Sequence, residues 1–246
     1  MLYTDETPRF AETPREINSA HMSVLFLIDS SGTMSGAAIS NAVAGINGFK
    51  DFLDSDPEAR GCVDVCVMQF DDSVRVVQDW TPVMDMMPVS IDAGGCTALY
   101  DGVLESIDKI RERSRTYAAL GIVEKKPYLV VLTDGYDNAS RYGRDMAVER
   151  VAERINGGKL KLFFLGYGNY DRSTAAALTS AGGAKRAISF EVTGPTAPFA
   201  DFFDFVANST KAASTSAPGA KISVPTTIGT DLSPVKPVNL DGWLND

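Results

Sequence analysis

The sequence predicts a doubly wound α/β fold: a mostly parallel central sheet with one antiparallel edge strand and helices on both faces. Three observations predict it. Short runs of apolar, β-forming residues, such as Val24-Leu25-Phe26-Leu27-Ile28 and Val130-Val131-Leu132, have the length and character of buried strands. Segments with apolar residues at helical spacing follow them, so strand and helix alternate along the chain. Two of the strand-like runs end in an aspartate, Asp29 and Asp134, which puts polar chemistry beyond strand carboxyl ends, where ligands bind in open α/β sheets.

Residues 1–20 contain Thr7-Pro8-Arg9 and Thr13-Pro14-Arg15, a short echo, and read as an extended leader packed along the domain; a docking arm or a phosphorylation target is the alternative. The domain itself is expected over residues 21–213. Its first strand runs from about His21 to Asp29. Ile39, Val43, Ile46, Phe49 and Leu53 recur at helical spacing and predict a helix over Gly36 to Leu53. Gly61 opens a strand over Cys62 to Phe70, and Asp71-Asp72-Ser73 reads as a turn into an antiparallel edge strand over Val74 to Val77. After the Pro-bounded stretch Thr81 to Pro88, Thr97 starts a helix with Leu99, Val103, Ile107 and Ile110 on one face and Arg111, Arg113 and Arg115 in its final turns.

Pro127 leads into a strand over Tyr128 to Thr133, followed by the loop Gly135-Tyr136-Asp137-Asn138. A helix near Asp145 to Ile155 and a strand over Lys161 to Leu165 come next. Asp171 has the character of a helix N-cap, since its short carboxylate reaches the free N–H groups of a first turn. Ala187 to Val192 is the last expected strand, and Pro198 to Lys211 a closing helix rich in Phe. Residues 214–246 turn to Ser, Thr, Pro and Gly and read as a flexible tail. Trp243, set among acidic residues near its end, is either a docking peptide or a side chain that packs back on the domain.

Composition narrows the function. The 246 residues carry a formal charge of −9 and show no Lys/Arg cluster along the chain, which argues against binding a phosphate backbone and suits a bound cation. No run approaches the roughly 20 apolar residues of a membrane helix, and the N-terminus is too polar for a secretory signal, so a soluble, cytoplasmic protein is expected. Three cysteines, Cys62, Cys66 and Cys96, without CxxC spacing fit reduced thiols. Cys96 reads as a small residue packed in a tight loop; a redox role is the alternative.

The chemistry concentrates after the first strand. Asp29, Ser31 and Thr33 fall at i, i+2 and i+4, and Gly32 lets the loop turn tightly. All three offer hard oxygen donors and none offers nitrogen or sulfur. Mg²⁺, Mn²⁺ or Ca²⁺ is therefore the expected ion, and not Zn²⁺ or copper.

Asp29-x-Ser31-x-Thr33 resembles the metal-ion-dependent adhesion site (MIDAS) of von Willebrand factor type A (vWA) domains, whose usual form is Asp-x-Ser-x-Ser; Thr33 keeps the hydroxyl and adds a methyl. Gly94-Gly95-Cys96-Thr97-Ala98-Leu99-Tyr100-Asp101 resembles the second element of that site, with Thr97 in the ligand position. Val130-Val131-Leu132-Thr133-Asp134-Gly135 resembles the third, with Asp134. The resemblance covers residues 22 to 210. It implies a Rossmann-like vWA fold and a divalent cation, Mg²⁺ or else Mn²⁺ or Ca²⁺, held through Asp29, Ser31, Thr33, Thr97 and Asp134, with Asp137 a candidate for its outer shell. It also implies a non-catalytic binding module with a protein partner whose Asp or Glu completes the metal's shell; charge and hydropathy speak against nucleic acid and membrane as partners. Asp-Ser-Ser-Gly-Thr-Met-Ser-Gly and Leu-Thr-Asp-Gly look closest to bacterial intracellular members associated with tellurite resistance and stress.

Other readings compete. A subunit recruiting substrates to a ring ATPase or chelatase uses the same domain, with the ATPase on a separate chain. Asp29-x-Ser31-Gly32-Thr33 also resembles the phosphatase motif of haloacid dehalogenases, but the position of that family's general acid holds Ser31, which cannot act so at neutral pH. A serine hydrolase would need His21, the single histidine, which opens the strand that Asp29 ends, roughly 25 Å away at about 3.3 Å per residue. A loop in which Asp29 merely caps the following helix explains Asp29 but neither Thr97 nor Asp134.

Overall fold

A computed structural model describes residues 13–181, 187–192, 199–217 and 235–238. The strands β1 (Met22–Asp29), β2 (Val63–Phe70), β3 (Val74–Pro82), β4 (Tyr128–Thr133), β5 (Lys161–Tyr167), β6 (Ala187–Val192) and β7 (Val235–Pro237) form one sheet in the order β3-β2-β1-β4-β5-β6-β7. The helices are α1 (Ala37–Asp54), α2 (Leu99–Leu120), α3 (Arg144–Asn156), α4 (Arg172–Ser180) and α5 (Ala200–Thr215). Pairing is parallel from β2 through β1, β4 and β5 to β6, and antiparallel at both edges. The expected α/β architecture is present.

Burial on both faces of the sheet explains why β1 reads as a continuous apolar run. Val24, Phe26 and Ile28 join the layer with α1 and α5, while Leu25 and Leu27 join the layer with α2, α3 and α4. Aromatic rings dominate the first layer. Phe26 meets Phe49 edge-on at 4.9 Å, and Phe190 meets Phe202 and Phe205 of the Phe-rich α5 at 5.4 and 5.3 Å.

Three expectations need correction. The antiparallel strand expected to end at Val77 continues to Pro82 through a register shift near Val67, because Trp80 is buried and its indole N–H donates to the Lys109 carbonyl of α2. Inside the stretch expected to lack strands, Val235–Pro237 pairs with β6, so the sheet has two antiparallel edge strands instead of one. The α2 arginines lie five or more residues before its end at Leu120, because Gly121 (φ +71°) takes the left-handed conformation that stops the helix.

Of the leader, residues 13–20 are described: Pro14 is buried, and Arg15 pairs with Asp85 at 2.8 Å. Thr7-Pro8-Arg9, the tail residues 218–234 and 239–246, and Trp243 with them, lie outside the described residues. Among the described residues no helix is long and apolar enough to cross a membrane. Cys62 and Cys66 are buried free thiols.

His21 sits at the opposite end of β1 from Asp29, fully buried, with Nδ1 3.3 Å from Asp64 Oδ2. Arg113 Nη2 approaches the same oxygen at 2.8 Å, and the Tyr117 hydroxyl donates to it. Burial pushes the Asp64 carboxyl up, but the bonds from His21, Arg113 and Tyr117 outweigh it and hold the group below the ordinary carboxylate range. The histidine therefore serves a buried charge network under the sheet and not Ser31.

Close packing of α1 on α5 rests on a missing side chain. A Cβ on Gly45 would stand 2.1 Å from the Phe203 ring. Gly45→Ala is expected to destabilise the protein by about 1–2 kcal/mol in urea unfolding, since overpacking at roughly 1–3 kcal/mol exceeds the gain of up to about 1 kcal/mol from helix propensity. Adding Phe203→Leu should recover part of the loss; a Gly45→Ala protein as stable as the parent would refute this packing.

Candidate metal centre

Asp29 and Asp134 stand beyond the carboxyl ends of β1 and β4, neighbours paired in parallel up to Ile28 and Leu132. Register therefore brings two carboxylates from distant parts of the sequence side by side. Asp29 is fully buried, and its Oδ1 accepts the Ser31 backbone N–H at 2.8 Å, which folds the chain back in an Asx turn. A single 3-10 turn over Gly32–Met34 then carries Thr33 out to the surface. The Ser31 and Thr33 hydroxyls lie 3.0 Å apart, and Thr33 Oγ1 donates to Asp134 Oδ1 at 2.7 Å. Four of the five expected ligands thus form one connected polar group.

The fifth arrives with the loop before α2. Thr97 is buried, and a Cβ built on Gly135 would lie 3.4 Å from Thr97 Oγ1 and 3.9 Å from Asp29 Oδ2. Both oxygens therefore border the space that the absent side chain of Gly135 leaves open. The structure brings all five sequence-predicted residues together.

Backbone bonds hold the loops in place. Gly94 N donates to Ser30 O at 2.7 Å and Gly32 N to Gly95 O at 3.0 Å, joining the loop after β1 to the loop before α2. Gly95 adopts φ +80°, and a side chain there would collide with Asp72, whose Oδ1 accepts the Cys96 N–H at 3.1 Å. Asn138 and Thr97 clasp each other: Thr97 N donates to Asn138 Oδ1 at 2.8 Å, and Asn138 N to Thr97 O at 2.9 Å.

Further supports come from residues outside the five candidate ligands. Thr133 is the most direct, since its hydroxyl donates to Asp29 Oδ2 at 2.5 Å and accepts the Gly135 N–H at 3.2 Å. Its position immediately before Asp134 at a strand end was the available signal. Asp72 and Asn138 gave none, because each acts through a backbone group distant in sequence. Asp137, a candidate for the outer shell, accepts the Tyr100 N–H at 3.2 Å and the Ser140 hydroxyl, satisfying a free donor in the first turn of α2. Cys96, expected to be packed, is exposed and beside Asp72, which raises its thiol pKa and makes it a poor nucleophile.

Electrostatics follow from burial. The Asp29 carboxyl is pushed up to about 6 by burial, with a further push from Asp134 and opposing bonds from Thr133 and Ser31; burial also raises Asp134. Among the described residues no lysine, arginine or histidine offsets either group. Nor do three or more His, Cys, Asp and Glu cluster among the described residues into a metal site; here three of the five donors are hydroxyls. Two under-compensated carboxylates with three hydroxyls form a hard oxygen set that fits Mg²⁺, Mn²⁺ or Ca²⁺. Asp29, Ser31, Thr33, Thr97 and Asp134 are the residues that would hold it, and the ion would supply an electrophilic position open to an incoming carboxylate.

The family model of the von Willebrand factor type A domain matches residues 23–203. Solved structures similar to this chain include a von Willebrand factor type A protein from Catenulispora acidiphila (16% identity, 79% of this chain, 43% of that one, TM-score 0.56). The vWF domain of the type V pili tip protein Mfa5 from Porphyromonas gingivalis is another (11% identity, 81% and 98% covered, TM-score 0.56). A third is the PilB minor pilin from Streptococcus sanguinis (13% identity, 77% and 61% covered, TM-score 0.53). The chain spans under half the length of the first and about three fifths of the third, and at these identities the likeness establishes the fold. No curated protein matches the chain.

Because its folded-state pKa is raised, ionised Asp29 opposes folding of the metal-free protein above about pH 6, and that cost disappears as pH falls toward the unfolded value of 3.8. Asp29→Asn retains an acceptor for Ser31 N and removes the charge. In chelator at pH 7.5 it should stabilise the protein by roughly 2 kcal/mol in urea unfolding, with a smaller gain at pH 5. Destabilisation at pH 7.5 would show that the charge of Asp29 is already compensated.

Proposed function

This chain belongs to the von Willebrand factor type A domain family, and on that premise we propose that it is a metal-dependent protein-interaction module and not an enzyme. A divalent cation, Mg²⁺ in the first instance, binds at Asp29, Ser31, Thr33, Thr97 and Asp134 and keeps a position for an Asp or Glu of the partner. The observation that carries this reading is the convergence of those five oxygen-bearing side chains from three separated loops on two carboxylates, Asp29 buried and Asp134 half-buried, without a compensating cation among the described residues. Thr33 in place of the more usual serine is compatible with it, because its hydroxyl occupies the link between Ser31 and Asp134 and the residue is exposed, with room for the extra methyl.

The partner's carboxylate gives the interaction its specificity. A net charge of −9 works against encounter with an acidic surface, so the cation has to supply the local attraction. The protein acts in the cytoplasm of a bacterium, in a stress, metal-resistance or assembly system; three free cysteines and the likeness of the Asp29 and Asp134 motifs to intracellular members support that placement. The pilus proteins among the similar structures share the fold and, at 11–13% identity, do not fix a location.

Calorimetric titration of the metal-stripped protein with Mg²⁺, Mn²⁺ and Ca²⁺ is expected to show one site. Asp29→Ala and the double variant Ser31→Ala/Thr33→Ala should lose it, and a captured partner should dissociate in chelator. Unchanged metal affinity in both variants, or partner capture indifferent to chelator, would sink the reading.

A further inference from the structure

The opposite end of the sheet from the metal centre carries a second, basic site. A cavity of about 510 Å³ opens at the amino ends of β4 and β5, walled by Arg111 and Arg115 of α2, Lys125 and Lys126 before β4, and Arg154 and Lys159 around the end of α3. Glu124 is the single carboxylate in its wall. In a chain with net charge −9, six cations and one anion around one cavity are a reversal of sign, invisible along the sequence because three separate segments supply them.

Ordinary structural roles account for only part of this. Of the six, Arg154 alone lies in the last turn of its helix, where a cation complements the helix dipole. The α2 arginines stand well before Leu120 and so are not helix-end residues. Local bonds fix some of the cations in place: Arg154 Nη2 donates to Lys159 O at 3.2 Å, and Lys125 Nζ reaches Ser216 O at 2.8 Å. Gly158, at φ +69°, turns the chain so that Lys159 N bonds back to Arg154 O at 2.9 Å. Arg154 in the last turn of α3 and Lys159 in the α3–β5 connection are thereby held together.

Glu124 is itself engaged by the Ser114 hydroxyl at 2.7 Å. Burial, with a contribution from Arg111 against that of Glu124, pulls the Arg154 guanidinium below its ordinary range, and burial does the same to Lys125. Cations held close together and partly desolvated are stabilised by an anion between them. The cavity is within the ~300–1,000 Å³ range of small-molecule sites, and mixed guanidinium and ammonium donors suit phosphoryl oxygens. Arg111 Nη1 also pairs with Asp108 Oδ1 at 3.4 Å, but cations supplied by three separate segments around the cavity suit an anion with more than one phosphoryl group better than a single phosphate.

We propose that this cavity binds a small soluble anion carrying two or more phosphoryl groups, at a site separate from the metal centre. The source is either an inorganic phosphate chain or a nucleotide polyphosphate, and the two share the same recognition chemistry.

The test is calorimetry and thermal melting of the full chain in chelator, so that no divalent cation contributes, with tripolyphosphate, ATP and orthophosphate as probes. Tripolyphosphate should bind saturably at one site, raise the melting temperature, and bind at least about tenfold more tightly than orthophosphate. Arg115→Glu/Lys159→Glu should weaken it about tenfold or more, whereas Arg144→Glu/Arg172→Glu, an equal charge change at the other end of the sheet, should alter it less than about twofold. ATP binding more tightly than tripolyphosphate supports the proposal with a nucleotide as the source; equal affinity supports it with the phosphate chain alone. No saturable binding, or equal weakening by the two double variants in folded protein, would overturn it.

Discussion

Two carboxylates at the ends of neighbouring parallel strands are the constraint on which the rest of this structure depends. Asp29 and Asp134 are brought together by the register of β1 with β4, and neither has a cationic partner among the described residues. Burying an ionised carboxylate without compensation is unfavourable, and hydroxyl and amide donors offset only part of that cost. Ser31, Thr33 and Thr133 supply those bonds, yet burial still dominates at Asp29. The strain is local, electrostatic and of the sign that a divalent cation relieves. It persists because the apolar layers on both faces of β1 fix the strand whatever happens at its end.

The loops are built to keep these oxygens where the strands leave them. Three connections meet at the site, and each is bonded to another: the loop after β1 to the loop before α2 through Gly94 and Gly32, and that loop in turn to Asp72 and Asn138. Loops usually carry the mobility of a binding site, and their ordering is part of the free energy of binding. Here much of that ordering is already present through backbone bonds, which depend little on the identity of the surrounding side chains. Gly95 and Gly135 matter for the same reason, the first because Asp72 leaves no room for a side chain and the second because Thr97 and Asp29 approach it.

Legibility in the sequence follows the range of the interaction. β1, β4 and β5 were readable because a strand buried on both faces must be apolar throughout, and the five candidate ligands because they follow strands or precede a helix in recognisable strings. Asp171 was readable as an N-cap for a similar reason: it accepts N–H groups two and three residues on. The bonds of Asp137 were not legible in this way. Its partner, Tyr100, lies 37 residues away, and nothing local reveals that it faces α2. The length of β3 was hidden because polar Gln78 and Asp79 interrupt its pattern, while its continuation is set by Trp80 reaching α2. β7 was hidden because three residues in a Pro-rich context carry no period, and only the exposed edge of β6 makes them a strand.

The same geometry separates the two charged ends of the domain. Asp134 follows β4 and Lys125 and Lys126 precede it, so the strand's six residues set an axial separation of roughly 20 Å at about 3.3 Å per residue. That is about two and a half times the screening length at physiological salt, near 8 Å. Charge at one end therefore contributes little to binding at the other through solvent. Coupling, if selected, would have to pass through the packed strand. Tyr128 through Leu132 are fully or almost fully buried and paired on both sides. A close-packed strand resists rearrangement, so coupling between the acidic and basic ends would require a second packed arrangement of β4 that both ends bias.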